Sequence, residues 1–245
     1  MSLIVTFTDF GTAGPYLGQV HAVLRREAPG IEVVDLFANA PSYDPRTAAY
    51  LLAAYATEFP EDTVFLCVVD PGVGSERLPV VVNADGRNYV GPDNGLFELI
   101  VRRAQYAYWQ EITWRPERLS VSFHGRDLFA PVAAHLARGD ELTGMARPVA
   151  ELLHPNWPDD LAQVIYVDGF GNAMTGIRAS SLPSNTRLHI TGHDYRRART
   201  FSDCAPGEAF WYENANGLAE IAVNQGNAAA TLGLSVGTPV AILTS

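Results

Sequence analysis

The stretch LIVTFTDFGTAGPYLGQVHAVLRREAPGIEVVDL, residues 3–36, reads as one strand–helix–strand unit and decides the fold class. Its ends, Leu3–Thr8 and Ile31–Leu36, have the apolar density of strands covered on both faces. Between them, from Tyr16 to Glu27, apolar residues recur at helical spacing. Two such strands joined through a helix by short connections imply a parallel βαβ unit. Pro45–Phe59 repeats the helical period and Thr63–Val69 the dense apolar run, so the pattern continues. Short strand-to-helix turns then put Asp9, Asp35 and Asp70 just past the ends of three strands, the edge where open parallel sheets bind ligands. Taken singly, each aspartate also fits a turn or a helix cap.

Working outward, Pro79–Asn83 and Asn88–Val90 read as another strand pair, GPDNGLFELIVRRA (91–104) as a turn entering an amphipathic helix, and Ala130–Arg138 as a further helix. The segment HPNWPDD (154–160) interrupts both periodicities with two prolines. Beyond it, QVIYVDGFGNAMTGI, TRLHITG, EAFWYENANGLAEIAV and GTPVAILT are short β-type runs divided by Gly, Asn and Asp turns. The expected fold is α/β: a doubly wound, mostly parallel sheet domain over residues 1–153, a linker over 154–160, and a small antiparallel β-barrel or sandwich over 161–245.

A chain of 245 residues, 47% hydrophobic and 18% charged, is long enough for two such domains. No apolar run reaches membrane-spanning length, and MSLIVTFTDF lacks a basic region and cleavage site, so a cytoplasmic protein without membrane association is expected. Cys67 and Cys204 show no framework spacing and read as free thiols. The net charge of −10 opposes nucleic-acid binding and suits a cationic ligand; Arg196, Arg197 and Arg199 form too short a basic cluster to reverse this.

Polar groups cluster on glycine-bearing turns in three places: TDFG (8–11), VVDPGVGSER (68–77) and SFHGRD (122–127). In the second, Pro71, Gly72 and Gly74 allow a tight loop that turns Arg77 back toward Asp70. It is neither a P-loop nor a GxGxxG fingerprint, and no GxSxG elbow is present to make Ser75 a nucleophile. His124 fits an acid/base group and a capping histidine equally. A metal site would have to gather Asp9, Asp70, Asp93 and His124, yet no HxH, HExxH or Asp-x-Asp spacing exists, so no metal is expected. His21, His135, His154, His189 and His193 read as structural or solvated. DGFGN (168–172) and NANG (214–217) fit hairpin turns as well as a binding site.

In their shared order, TDFGTAGPYLGQV, VVDPGVGSER, YVGPDNGLFELI, SFHGRD, GFGNAMT and GLAEIAVNQGNAA resemble the S-adenosylmethionine (SAM) hydrolase family, also called SAM hydroxide adenosyltransferases, which is related to fluorinases and chlorinases. The resemblance implies attack of water or hydroxide on the ribose 5′ carbon of SAM, giving adenosine and methionine with no cofactor. The family's Asp, Arg and His triad falls on Asp70, Arg77 and His124. Asp9 matches the ribose-binding carboxylate, Tyr43 the aromatic near the ribose, and Asp168 the carboxylate that receives the methionine amino group. Phe170 and Asn172 match the adenine site, which Phe201 and the backbone around Asn224 and Gln225 complete. The resemblance also implies a homotrimer with sites between subunits. The halogenase relatives have tyrosine where this chain has Asp70 and lack the matching histidine, which favours hydroxide over halide. The alternatives are a halogenase-like enzyme, a non-catalytic SAM or adenosine binder, and a metal-dependent hydrolase. Near the expected methionine end, Gly14, Ala215 and Gly176 depart from the family pattern.

Overall fold

A computed structural model describes residues 2–154 and 156–243; Pro155 of the expected linker and Thr244 of the last expected strand lie outside the described residues. The chain divides into two compact units, Met1–Asn156 and Trp157–Ser245.

The first unit runs β1 (Leu3–Thr8), α1 (Tyr16–Glu27), β2 (Glu32–Phe37), α2 (Pro45–Tyr55), β3 (Val64–Val68), β4 (Pro79–Ala84), β5 (Arg87–Pro92), α3 (Glu98–Arg103), β6 (Ala107–Ile112), α4 (Ala130–Ala137) and β7 (Gly144–Arg147). Its seven-stranded sheet has the order β2-β1-β3-β5-β4-β6-β7. Pairing is parallel from β2 through β5 and antiparallel from β5 outward. Alternation along the strands gives each face its own cover. Ile4, Val64, Leu66 and Val68 share a buried cluster with Val20 and Leu24 of α1 and Val132 of α4. On the other face Phe7 meets Phe37 edge-on at 5.4 Å, and Phe37 meets Tyr55 at the end of α2 at 5.1 Å.

Three local features differ from the sequence reading. Asp35 lies inside β2 rather than past its end, because the strand continues through Phe37; its Oδ1 accepts from Thr6 Oγ1 at 2.6 Å and pairs with His21 Nε2 at 2.8 Å. Strands β6 and β7, which carry no clear alternation, extend the sheet antiparallel. The helix over 130–137 is preceded by a π turn, Gly125–Phe129. Pro131 explains the wider turn, since it has no N–H to give an α-helical bond to the Asp127 carbonyl.

The second unit contains β8 (Leu161–Val167), β9 (Ala173–Arg178), β10 (Arg187–Ile190), β11 (His193–Arg196), β12 (Ala209–Glu213), β13 (Leu218–Val223), α5 (Ala228–Leu232) and β14 (Ala241–Leu243). Two antiparallel sheets, β12-β13-β9-β8 and β11-β10-β14, share one core that includes Val164, Ile177, Leu188, Ile190, Trp211 and Ile221. Single bridges, Gln163 to Pro239 and Arg197 to Trp211, join their edges, and no continuous closed sheet forms among the described residues. The short α5 has no counterpart in the sequence reading, since five residues are too few to show a period. Asn227 caps it by accepting from Ala230 N at 2.7 Å, and Gly233 ends it at φ 66°. Cys67 and Cys204 are buried and unpaired. No helix among the described residues is long and apolar enough to cross a membrane.

Candidate active site

At the carboxyl edge of the parallel strands, the turn after β3 carries Asp70 and returns to Arg77. Hydrogen bonds from Val73 N to Asp70 O (3.3 Å) and Ser75 N to Gly72 O (3.0 Å) close it. Gly74 sits at φ +83°, and a Cβ there would lie 2.7 Å from the Val121 carbonyl oxygen. Only glycine lets this turn approach the segment before His124 so closely.

That approach assembles a chain of three side chains, two of them buried. Arg77 Nε donates to Asp70 Oδ1 at 3.0 Å and Oδ2 at 3.1 Å, and Nη2 donates to Oδ2 as well. The same Nη2 lies 3.0 Å from His124 Nδ1. The Asp70 and Arg77 side chains are only 4% and 9% exposed, and the guanidinium lies over the Phe129 ring at 5.2 Å. Arg77 therefore stands between Asp70 and His124, whereas the residue types alone allow a direct Asp70–His124 contact.

This order fixes the histidine's chemistry. A guanidinium only donates, so Nδ1 is the acceptor and the neutral ring carries its proton on Nε2. Burial, and then the adjacent Arg77 charge, hold the His124 pKa below the ordinary histidine value. The ring is neutral around pH 7 and offers an N–H.

Asp9 follows β1 and shares a cleft with Phe10, Asp70, Val73, Phe123 and His124. Burial raises its pKa; the Tyr43 N–H, which donates to Oδ2 at 3.3 Å, opposes this, and the charge of Asp70 adds to it. Tyr43 thus meets Asp9 through its backbone, at φ 61°, while its side chain is 81% exposed. A bulky residue in left-handed backbone is unusual away from functional sites. Phe10, Tyr16 and Phe123 form an aromatic wall with ring centroids 5.3–6.1 Å apart. A Cβ on Gly125 would lie 2.9 Å from Phe10 Cζ, so the wall needs that glycine. Phe10 and Phe123 escaped the sequence reading as cleft residues although both lie inside the TDFG and SFHGRD motifs. Arg126 and Asp127 are structural: they bond each other, and Asp127 Oδ2 accepts from Ser120 N at 2.9 Å.

The second unit holds a cleft of about 610 Å³ lined by Asp168, Phe170, Asn172, Phe201, Tyr212 and Gln225, among others. That volume suits a nucleoside-sized ligand. Asp168 organises its loop by accepting from Phe170 N at 2.9 Å, Asn172 N at 2.8 Å and Asn172 Nδ2 at 3.1 Å. Three acceptor positions are thereby used, and the hairpin-turn role of DGFGN coexists with its place on the cleft. Phe201 packs edge-on against Tyr212 at 5.2 Å. Asn224 turns its amide to the Cys204 carbonyl at 2.8 Å instead of into the cleft, while Gln225 lines it at φ 56°. Tyr212 and Val223 are cleft residues that the sequence reading missed; both lie in β-type runs where inward and outward positions look alike.

Among the described residues no three His, Cys, Asp or Glu side chains converge as metal ligands. The Asp9, Asp70, Asp93 and His124 set is thus not gathered into a coordination site. Asp93, half-buried with a pKa raised by burial, lies under the influence of His154 instead.

Residues 4–146 match the family described as SAM hydroxide adenosyltransferase N-terminal domain, and residues 162–241 match its C-terminal domain. The chain is similar to the (R)-S-adenosyl-L-methionine hydrolase of Thermus thermophilus, with 39% identity over 99% of this chain and 100% of that protein. It is more distantly similar to the fluorinase of Nocardia brasiliensis, at 23% identity over 98% of this chain and 96% of the relative. A solved structure, an uncharacterized conserved protein from Thermotoga maritima, superposes with a TM-score of 0.88 at 31% identity, covering 99% of this chain and 100% of that one.

Proposed function

The chain belongs to the SAM hydroxide adenosyltransferase family, and on that premise we propose that it hydrolyses S-adenosyl-L-methionine to adenosine and L-methionine. The observation that carries this reading is the bridge from Asp70 through Arg77 to His124 Nδ1. It leaves a neutral imidazole N–H at the cleft, a donor suited to orienting the attacking oxygen of water or hydroxide. The oxygen attacks the ribose 5′ carbon, the carbon–sulfur bond breaks, and its electron pair goes to sulfur. Methionine leaves as a neutral thioether, so no acid is needed at the leaving group and one proton passes to solvent per turnover. The reaction as written requires no metal or organic cofactor.

Halide is the less fitting nucleophile here. The Asp70 carboxylate already neutralises Arg77, so no uncompensated cation is left to hold an anion that lacks a proton to share. Asp9 is assigned to the ribose hydroxyls and the second-unit cleft to adenine, with Asp168 toward the methionine ammonium.

The named relative acts on the (R) sulfonium epimer, and we assign the same preference to this chain. A pyramidal sulfonium exchanges the places of its methyl and methionine arms between epimers, so a site holding ribose and amino acid fits one of them. Purified protein given each epimer with chelator present is expected to release adenosine and methionine from the (R) form. Release of adenine, or no product from either epimer by folded protein, would sink the reading.

We further propose that the active species is a homotrimer, each site taking its triad from one subunit and its adenine cleft from another. Co-refolding Arg77→Met with Asn172→Ala chains should then restore about one site in four, since each intact half is drawn with even odds. Absence of any recovery in a mixed oligomer would contradict shared sites.

A further inference from the structure

Glu220 plays no part in the mechanism above. It lies on β13, is 2% exposed, and stands opposite Tyr212 in the β12–β13 register. Its Oε1 accepts from the Tyr212 hydroxyl at 2.5 Å and its Oε2 from Asn214 Nδ2 at 2.8 Å. An amide nitrogen can only donate, so this arrangement suits a carboxylate. Among the described residues no cationic side chain pairs with Glu220, whereas the buried Asp70 carboxylate has Arg77.

A buried carboxylate held by neutral donors keeps a large desolvation penalty. Burial accordingly raises its pKa, and the charge of Asp168 pushes it the same way. One of its neighbours reaches the cleft and the other holds a turn. Tyr212 forms a wall of the second-unit cleft, and Asn214 organises the 214–217 turn by accepting from Asn216 N and Leu218 N, each at 3.0 Å. A ligand bearing positive charge is what such a carboxylate lacks.

Resting on the hydrolase reading, we propose that Glu220 is a specificity-determining residue whose uncompensated charge makes the second-unit cleft prefer the sulfonium substrate over its neutral-sulfur counterpart. SAM carries one positive charge more than S-adenosylhomocysteine or than either product. The same field that favours substrate therefore leaves adenosine and methionine free to depart. A buried charge near a second one changes affinity by about tenfold at the effective dielectric of protein sites.

Glu220→Gln separates charge from scaffold. The glutamine oxygen still accepts from Asn214 and its amide donates to the Tyr212 oxygen, so both bonds survive with the charge removed. We expect KM for SAM to rise about tenfold at unchanged kcat, while calorimetric Kd values for adenosine and S-adenosylhomocysteine stay within about twofold. Tyr212→Phe, which keeps the charge and loses one bond, should leave the SAM to S-adenosylhomocysteine ratio as in the parent. Equal weakening of all three ligands in Glu220→Gln would reduce the residue to scaffold, and no change in any would show that the charge is not felt; either overturns the proposal. The parent protein also tests it without any variant: equal affinity for SAM and S-adenosylhomocysteine overturns it. Should the parent bind SAM without releasing adenosine, the hydrolase reading fails, and Kd for SAM replaces KM in the same comparison.

Discussion

Replacing Arg77 with methionine should lower the rate of adenosine release by about 10²–10⁴-fold and lower folding stability by about 3–5 kcal/mol. Both effects come from one position. The guanidinium is the only group that touches both Asp70 and His124 among the contacts described, and the Asp70 side chain is 4% exposed. Without Arg77 a buried carboxylate stands unpaired and the histidine loses the donor that fixes its tautomer. Adding Asp70→Asn to Arg77→Met removes the orphaned charge, so most of the lost stability should return while activity does not. Urea denaturation of the two variants beside chromatographic rates makes the comparison. A single variant within about 1 kcal/mol of the parent, or a double variant as unstable as the single, would show that the pair is not compensated as its geometry indicates.

His124→Ala is expected to reduce turnover by about 10²–10³-fold with substrate affinity changed only a few-fold, the signature of a donor used on the developing nucleophile rather than on bound substrate. Its protonation has a defined sign. Burial and Arg77 depress the His124 pKa, so the neutral ring dominates above the ordinary histidine value and is lost only as pH falls through a lower one. Turnover should therefore not fall through protonation of His124 until pH drops below about 6.5. Ring NMR should show Nε2 protonated and Nδ1 bare at neutral pH, and Arg77→Met should move the titration upward. A His124→Ala rate near the parent, or a ring titrating above the ordinary value, would remove the histidine from the mechanism.

Much of the fold was legible because two periodicities dominate the first seventy residues. Runs such as Val64–Val68, buried at every position, have no polar face to disguise them. Legibility fails where packing decides the issue. Glu32–Phe37 carries Asp35 inside the strand, since Thr6 and His21 supply partners that no local pattern announces. The edge strand β7 is four residues of largely exposed chain. In the site, the residue types Asp70, Arg77 and His124 stand in recognisable motifs, but their order in space does not. The six residues between Asp70 and Arg77, held against Val121 by Gly74, put the arginine in the middle. Glu220 was invisible for a related reason: a lone acidic residue in a β-type run reads as a solvated position, and only the structure shows it 2% exposed beneath Tyr212.

The central claim is that water supplies the atom that replaces sulfur on the ribose 5′ carbon. Mass spectrometry of adenosine formed from SAM in oxygen-18 water, with chloride present and chelator added, tests it most directly. The account predicts one solvent oxygen at the 5′ hydroxyl of every adenosine formed and no 5′-halo product, whereas unlabelled adenosine or 5′-chloro-5′-deoxyadenosine as the main product would contradict it.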